Sequence, residues 1–167
     1  KDIGLSTATI QRAELNHAQV STLFWINFAF GAVLAVSVAG LAPLVACFYG
    51  EPRLGPVMAI LSLSFVFGGL TVQSQALLKR MMRFTALGFA EVFGMLLGVA
   101  VAVVSARYGA GYWALVLMHV TIPAGIFIGI WAVCPWRPGW PSRRSGVRPM
   151  LAFGRDIAGF QIVNYFS

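Results

Sequence analysis

The chain has 167 residues, of which 59% are hydrophobic and 10% charged, with a formal net charge of +7. A soluble domain carries about a quarter charged residues, so there is more apolar surface here than one water-facing core can hide. Excess lysine and arginine would suit a nucleic acid if it formed one face with interleaved aromatics; here it falls between long apolar runs, which argues against nucleic acid and for membrane lipid as the partner.

Four stretches, 15–50, 54–78, 84–106 and 108–136, are almost free of charge, and Glu91 is the single ionised residue inside them. Each exceeds the roughly 18 residues that mark a membrane-spanning helix, since about 20 residues at 1.5 Å cross a hydrocarbon core of about 30 Å. Helices of a soluble bundle would show a polar outer face at every third or fourth position, and these do not. The sequence therefore predicts an all-α, polytopic transmembrane bundle of four complete spans plus the start of a fifth.

Residues 1–21 are expected to form a cytoplasmic loop with an amphipathic pattern, Ile3, Leu5 and Ile10 being set among Ser, Thr, Gln and Arg12. The first span covers 22–48, and Pro43 is expected to kink it or end it early. Gly50 and Pro52 give the next segment turn chemistry, and the second span returns over 54–78. A basic loop with Lys79, Arg80 and Arg83 precedes the third span, 84–106. A turn at 107–111 leads to the fourth, 112–134, with Pro123 near its middle. Residues 135–149 form a cytoplasmic linker rich in Pro and Arg, and 150–167 begin a further span. The chain opens on Lys1 and stops inside that apolar segment, so it is expected to be a piece of a longer protein. Trp25, Trp113 and Trp136 fall near span ends, where indoles anchor at the interface.

Basic residues mark the cytoplasmic side of short loops. With these spans, Lys1, Arg12, Lys79, Arg80, Arg83, Arg137, Arg143, Arg144, Arg148 and Arg155 share one side, and Arg53 and Arg107 lie on the other. Odd spans therefore run outward.

Reactive chemistry is sparse. His17 and His119 have no carboxylate at metal-ligand spacing, no glycine loop ends in Lys-Ser/Thr, and Cys47 and Cys134 fall near opposite faces without a neighbouring base. No catalytic group, metal or cofactor is expected. Glu91 is the sharpest candidate for a substrate or ion pathway, because an ionisable group inside a span is costly and faces a bundle interior or wet cavity. It lies about 10 Å from the cytoplasmic end of its span, where pairing with Lys79, Arg80 or Arg83 is the alternative. Asn27, Gln73, Gln75 and His119 are weaker candidates that equally suit hydrogen bonds between helices. Arg80 and Arg83 suit either a phosphate or anionic lipid headgroups. Ala90, Gly94, Gly98 and Ala102 form a small-residue ladder, repeated by Gly125 and Gly129, which lets helix backbones approach closely.

Several short motifs occur in order: Asp2-Ile3-Gly4-Leu5-Ser6 before Ile10-Gln11-Arg12; Gln19-Val20-Ser21-Thr22-Leu23-Phe24-Trp25-Ile26-Asn27; and Phe48-Tyr49-Gly50-Glu51-Pro52. They continue with Gln75-Ala76-Leu77-Leu78, Arg80 and Arg83-Phe84; Gly111-Tyr112-Trp113-Ala114-Leu115-Val116; Pro135-Trp136-Arg137-Pro138; and Phe153-Gly154. Together they cover nearly the whole chain, and in them it resembles the bacterial polysaccharide exporters. These are the lipid-linked oligosaccharide flippases of the multidrug/oligosaccharidyl-lipid/polysaccharide superfamily, and the likeness is to the lipopolysaccharide and colanic acid exporter branch. The resemblance implies a MATE-like transporter of two pseudo-symmetric halves, of which this piece would hold the third to sixth helices and the start of the seventh. It also implies export of undecaprenyl-diphosphate-linked oligosaccharide across the bacterial inner membrane by alternating access, coupled to H+ or Na+, beside other polysaccharide assembly proteins. Basic residues in the lumen would hold the diphosphate; with no Lys or Arg inside the spans, that role passes to Arg80, Arg83 or helices outside this piece. A related ion-coupled multidrug or cation antiporter is the alternative, followed by a membrane-embedded glycan ligase or polymerase, which would need a large outer loop.

The topology has a direct test. A membrane-impermeant thiol reagent added outside intact cells should label Cys47, and labelling of Cys134 alone would reverse the orientation.

Overall fold

The computed structural model describes residues 17–140. The stretches 1–16 and 141–167, which include most of the expected loop, part of the linker and the further span, lie outside the described residues. Within them the chain forms five α-helices and no strand: α1 (His17–Tyr49), α2 (Leu54–Leu61), α3 (Leu63–Arg80), α4 (Phe84–Arg107) and α5 (Trp113–Val133). With α2 and α3 taken as one rod, four helices of 33, 27, 24 and 21 residues are long and apolar enough to cross a membrane. The polytopic helical bundle expected from hydropathy is what the structure shows.

Individual spans differ in detail from the expectation. Pro43 does not end α1, which continues to Tyr49. One missing N–H two turns from a helix end removes a single bond, and the remaining ladder carries the helix on. The second rod is instead interrupted at Ser62, where proline is absent. Ser62 Oγ donates to the Ala59 carbonyl at 2.7 Å, a side chain-to-backbone bond of the kind that bends helices. α1 also starts at His17, five residues ahead of the expected span, and at about 1.5 Å per residue it is close to 50 Å long, so it must tilt or protrude.

All three hairpin turns close with the same device. Gly50 N donates to Cys47 O (3.2 Å) and Glu51 N to Ala46 O (3.1 Å); Gly109 N donates to Ala106 O and Ala110 N to Ser105 O, both at 3.0 Å. These are Schellman motifs, which satisfy the orphan carbonyls of a helix end and need a left-handed residue. Gly50 and Gly109 supply it at φ +66° and +80°. The basic turn makes the same pair of bonds, Met82 N to Lys79 O and Arg83 N to Leu78 O, with Met82 at φ 54°. A side chain there costs about 1 kcal/mol or more relative to glycine.

The rods associate through glycine. On α4, a Cβ at Gly94 would meet Ile122 O at 2.8 Å; on α5, one at Gly125 would meet Gly94 Cα at 2.9 Å, and one at Gly129 would meet Ala90 Cα at 3.1 Å. A second crossing, outside the small-residue ladders read from the sequence, joins α1 to α3. A Cβ at Gly31 would lie 2.5 Å from Phe65 O, and one at Gly69 would lie 2.6 Å from Asn27 O. α3 and α5 join the two hairpins, while α1 and α5 barely touch. A small apolar core of Leu78, Leu87, Ala90, Ile130 and Cys134 sits at the basic end. Many large apolar side chains point outward, Val36 and Phe89 being more than 70% exposed, as suits a hydrocarbon surrounding.

Gly31→Ala should therefore destabilise the protein by about 1–3 kcal/mol, the usual cost of overpacking. Gly88→Ala, which meets nothing within 4 Å, should be neutral or stabilising by up to about 1 kcal/mol. Thermal unfolding of the two variants in detergent checks this, and equal stability of the two would argue against the tight crossing.

A candidate groove between separated helices

Because α1 and α5 diverge over α3, a groove of about 640 Å³ opens between them. Asn27, Phe30, Gly31 and Leu34 form the α1 wall, Ser64, Phe65, Gly68, Gly69, Val72 and Gln75 the floor, and His119 and Pro123 the α5 wall. The spacing on α3 explains the floor: positions 64/65, 68/69, 72 and 75 recur at three and four residues and so share one face. Among the described residues, no Lys, Arg, Asp or Glu lines the groove.

Polar atoms collect in this uncharged setting. Asn27 is 5% exposed, and its Nδ2 is buried without a hydrogen-bond partner among the described residues. Such an amide costs about 1–3 kcal/mol where water does not reach it. His119 Nδ1 lies 2.9 Å from the Leu115 carbonyl; a carbonyl only accepts, so in the neutral ring Nδ1 carries the proton and Nε2 is left as an acceptor. Pro123 has no N–H to return to the carbonyl of His119, four residues earlier. Ser64 Oγ, from α3, approaches that same carbonyl at 3.5 Å.

The basic end of the groove is bridged by the strand of chain that follows α5. Trp25 Nε1 donates to Gly139 O at 3.0 Å, and Gly139 N donates to Ser21 Oγ at 3.0 Å. The Trp136 ring sits 5.9 Å from His17 and 6.0 Å from Phe24. Arg137 Nη1 donates to Cys134 O at 2.8 Å, where a cation complements the helix C-terminus, and its guanidinium stands 5.2 Å over the Trp131 ring. Trp25 and Trp136, expected as separate interfacial anchors, are thus part of one strap that fixes the start of α1 against the end of α5.

The other sequence candidates fall elsewhere. Gln73 is fully buried and does not line the groove, unlike Gln75 two residues on. Glu91 is exposed on α4, outside the groove and without an ion pair to Lys79, Arg80 or Arg83; the one ion pair found among the described residues is Arg53–Glu51 at 3.7 Å. Eight residues separate Glu91 from Arg83, about 12 Å along the axis, which is beyond contact. Arg80 is half-buried and Arg83 exposed at the basic turn. Ala90, Gly94, Gly98, Gly125 and Gly129 lie along the α4–α5 contact, away from the groove. Ser64, Phe65 and Pro123 were not singled out for this role; Pro123 four residues after His119 was the available signal.

Trp25→Phe removes one strap hydrogen bond, worth about 0.5–1.5 kcal/mol. Hydrogen exchange across 134–140 should accelerate by several-fold in nanodiscs, and unchanged protection would show that the strap is held without it.

Comparison with known proteins places these features in a family. A family model described as polysaccharide biosynthesis protein matches residues 1–167. The lipopolysaccharide biosynthesis protein WzxC of Escherichia coli (strain K12) is 30% identical, aligning with 99% of this chain and 34% of its own length. The teichuronic acid biosynthesis protein TuaB of Bacillus subtilis (strain 168) is 27% identical over 98% of this chain and 34% of its own. The succinoglycan biosynthesis transport protein ExoT of Rhizobium meliloti (strain 1021) is 25% identical over 98% and 33%. The chain therefore spans about a third of the length of these curated relatives. No solved structure matches it significantly.

Proposed function

Since the chain belongs to the polysaccharide biosynthesis protein family, we propose that it is part of a multi-pass transporter that carries lipid-linked polysaccharide precursors across the bacterial inner membrane. The observation that carries this reading is the groove: a mainly apolar cleft with a few polar groups and no charged residue among the described ones, between two membrane-length helices that barely touch. Alternating access needs helices that can separate and close about a fixed site, and such sites lie near the bilayer midplane between repeats. The relatives, polysaccharide biosynthesis proteins by name and one of them a transport protein, support the polysaccharide pathway.

In this reading the basic turns face the cytoplasm, and a MATE-like protein of two halves uses the present four rods as part of one half. The substrate is an undecaprenyl-diphosphate-linked oligosaccharide, delivered and taken up by other polysaccharide assembly proteins, with H+ or Na+ as the coupling ion. Arg80 and Arg83 gather at the cytoplasmic end, where a diphosphate headgroup meets the membrane surface. The chain acts by transport and not by catalysis. A cation antiporter is the second reading; it would need carboxylates in a shared cavity, and Glu91, outside the groove, is the one carboxylate within these rods.

Deleting the whole gene should abolish a surface polysaccharide, and restoring it should return the polymer. Normal surface glycan with new sensitivity to cationic dyes would favour the antiporter instead.

A further inference from the structure

The geometry points to the α1–α3–α5 groove as a subsite for a neutral sugar ring, separate from any site for the charged headgroup. This rests on the transport reading above. The groove is unlike a bundle interior in three respects. Its buried Asn27 amide nitrogen has no partner among the described residues. In its neutral form His119, with Nδ1 donating to the Leu115 carbonyl, has Nε2 as an acceptor. The His119 carbonyl has lost its helical donor to Pro123 and is approached only at 3.5 Å by Ser64 Oγ. Gln75 adds an amide from the floor.

These groups are a mixed set of donors and acceptors without a formal charge. A diphosphate does not suit them, since an anion buried without a cation keeps its full desolvation penalty. Hydroxyl groups do, because each both donates and accepts. Phe30 and Phe65 line the same space and offer apolar surface to the C–H side of a sugar ring. A volume of 640 Å³ is that of an ordinary small-molecule site, about 300–1,000 Å³, and admits a sugar with its neighbouring linkage. The groove thus selects the glycan while the basic end receives the phosphates.

The test uses the whole transporter in nanodiscs and two probes: a polyprenyl diphosphate bearing one N-acetylhexosamine, and the same lipid without the sugar. Wild type should bind the sugar-bearing lipid more tightly. Asn27→Leu and His119→Phe should each weaken that binding on the order of tenfold, the cost of a lost or orphaned hydrogen bond, and leave the sugarless lipid unaffected. Cys47→Ser, outside the groove, should change neither. Asn27→Leu should also raise the melting temperature of the ligand-free protein by about 2–4 °C, because it removes a buried amide without a partner. Equal losses for both lipids, an unchanged preference for the sugar, or a lower melting temperature for Asn27→Leu would overturn the subsite; the last would mean that a polar group elsewhere in the protein satisfies the amide. If wild type binds neither lipid, the transport reading itself fails and the subsite falls with it.

Discussion

In hydrocarbon an apolar side chain gains nothing by leaving lipid for protein, so rods of this composition hold together only where their backbones come close enough for dense packing. Two glycine crossings meet that requirement. At one, Gly31 and Gly69 bring α1 onto α3; at the other, Gly94, Gly125 and Gly129 bring α4 onto α5. The rest follows from where these crossings fall. Each hairpin is tight within itself, the hairpins meet along α3 and α5, and α1 and α5 are left to diverge. The groove is the space between them, and the strap from Trp136 to Gly139 is what spans its basic end.

The same solvent makes every polar atom expensive, and the protein answers at most places. Three Schellman turns close the helix ends, and Thr22, Thr71 and Ser105 return their hydroxyls to carbonyls one turn earlier. Three of the departures fall in two places. The Trp131 and Trp136 indoles lie beside the strap, and the Asn27 amide lies with the proline-freed His119 carbonyl in the groove. Helix separation and unmet hydrogen-bonding capacity thus coincide.

Most of the fold was legible in the sequence, and less of the site. Uninterrupted apolar runs fixed the number of rods, since no other structure lets a backbone of that length cross lipid. Gly50 and Gly109 announced their turns, whereas Met82 adopts the same left-handed geometry without a glycine to signal it. Glu91 drew attention by its charge, but rotation about α4 leaves it exposed outside the groove. Asn27 and Gln75 looked like ordinary interhelical amides until the groove gathered them with His119. Gly31 and Gly69 stand in different rods, and nothing in a linear spacing says that they oppose each other.

The sequence by itself determined the solvent, the four membrane-length rods and the grouping of charge, because each depends on composition within one segment and on the thickness of a bilayer. Only the tertiary structure decided which helices touch and which part. That depends on the rotation and depth at which small residues meet across helices, and it is this geometry that places Asn27, Gln75, Ser64 and His119 around one space.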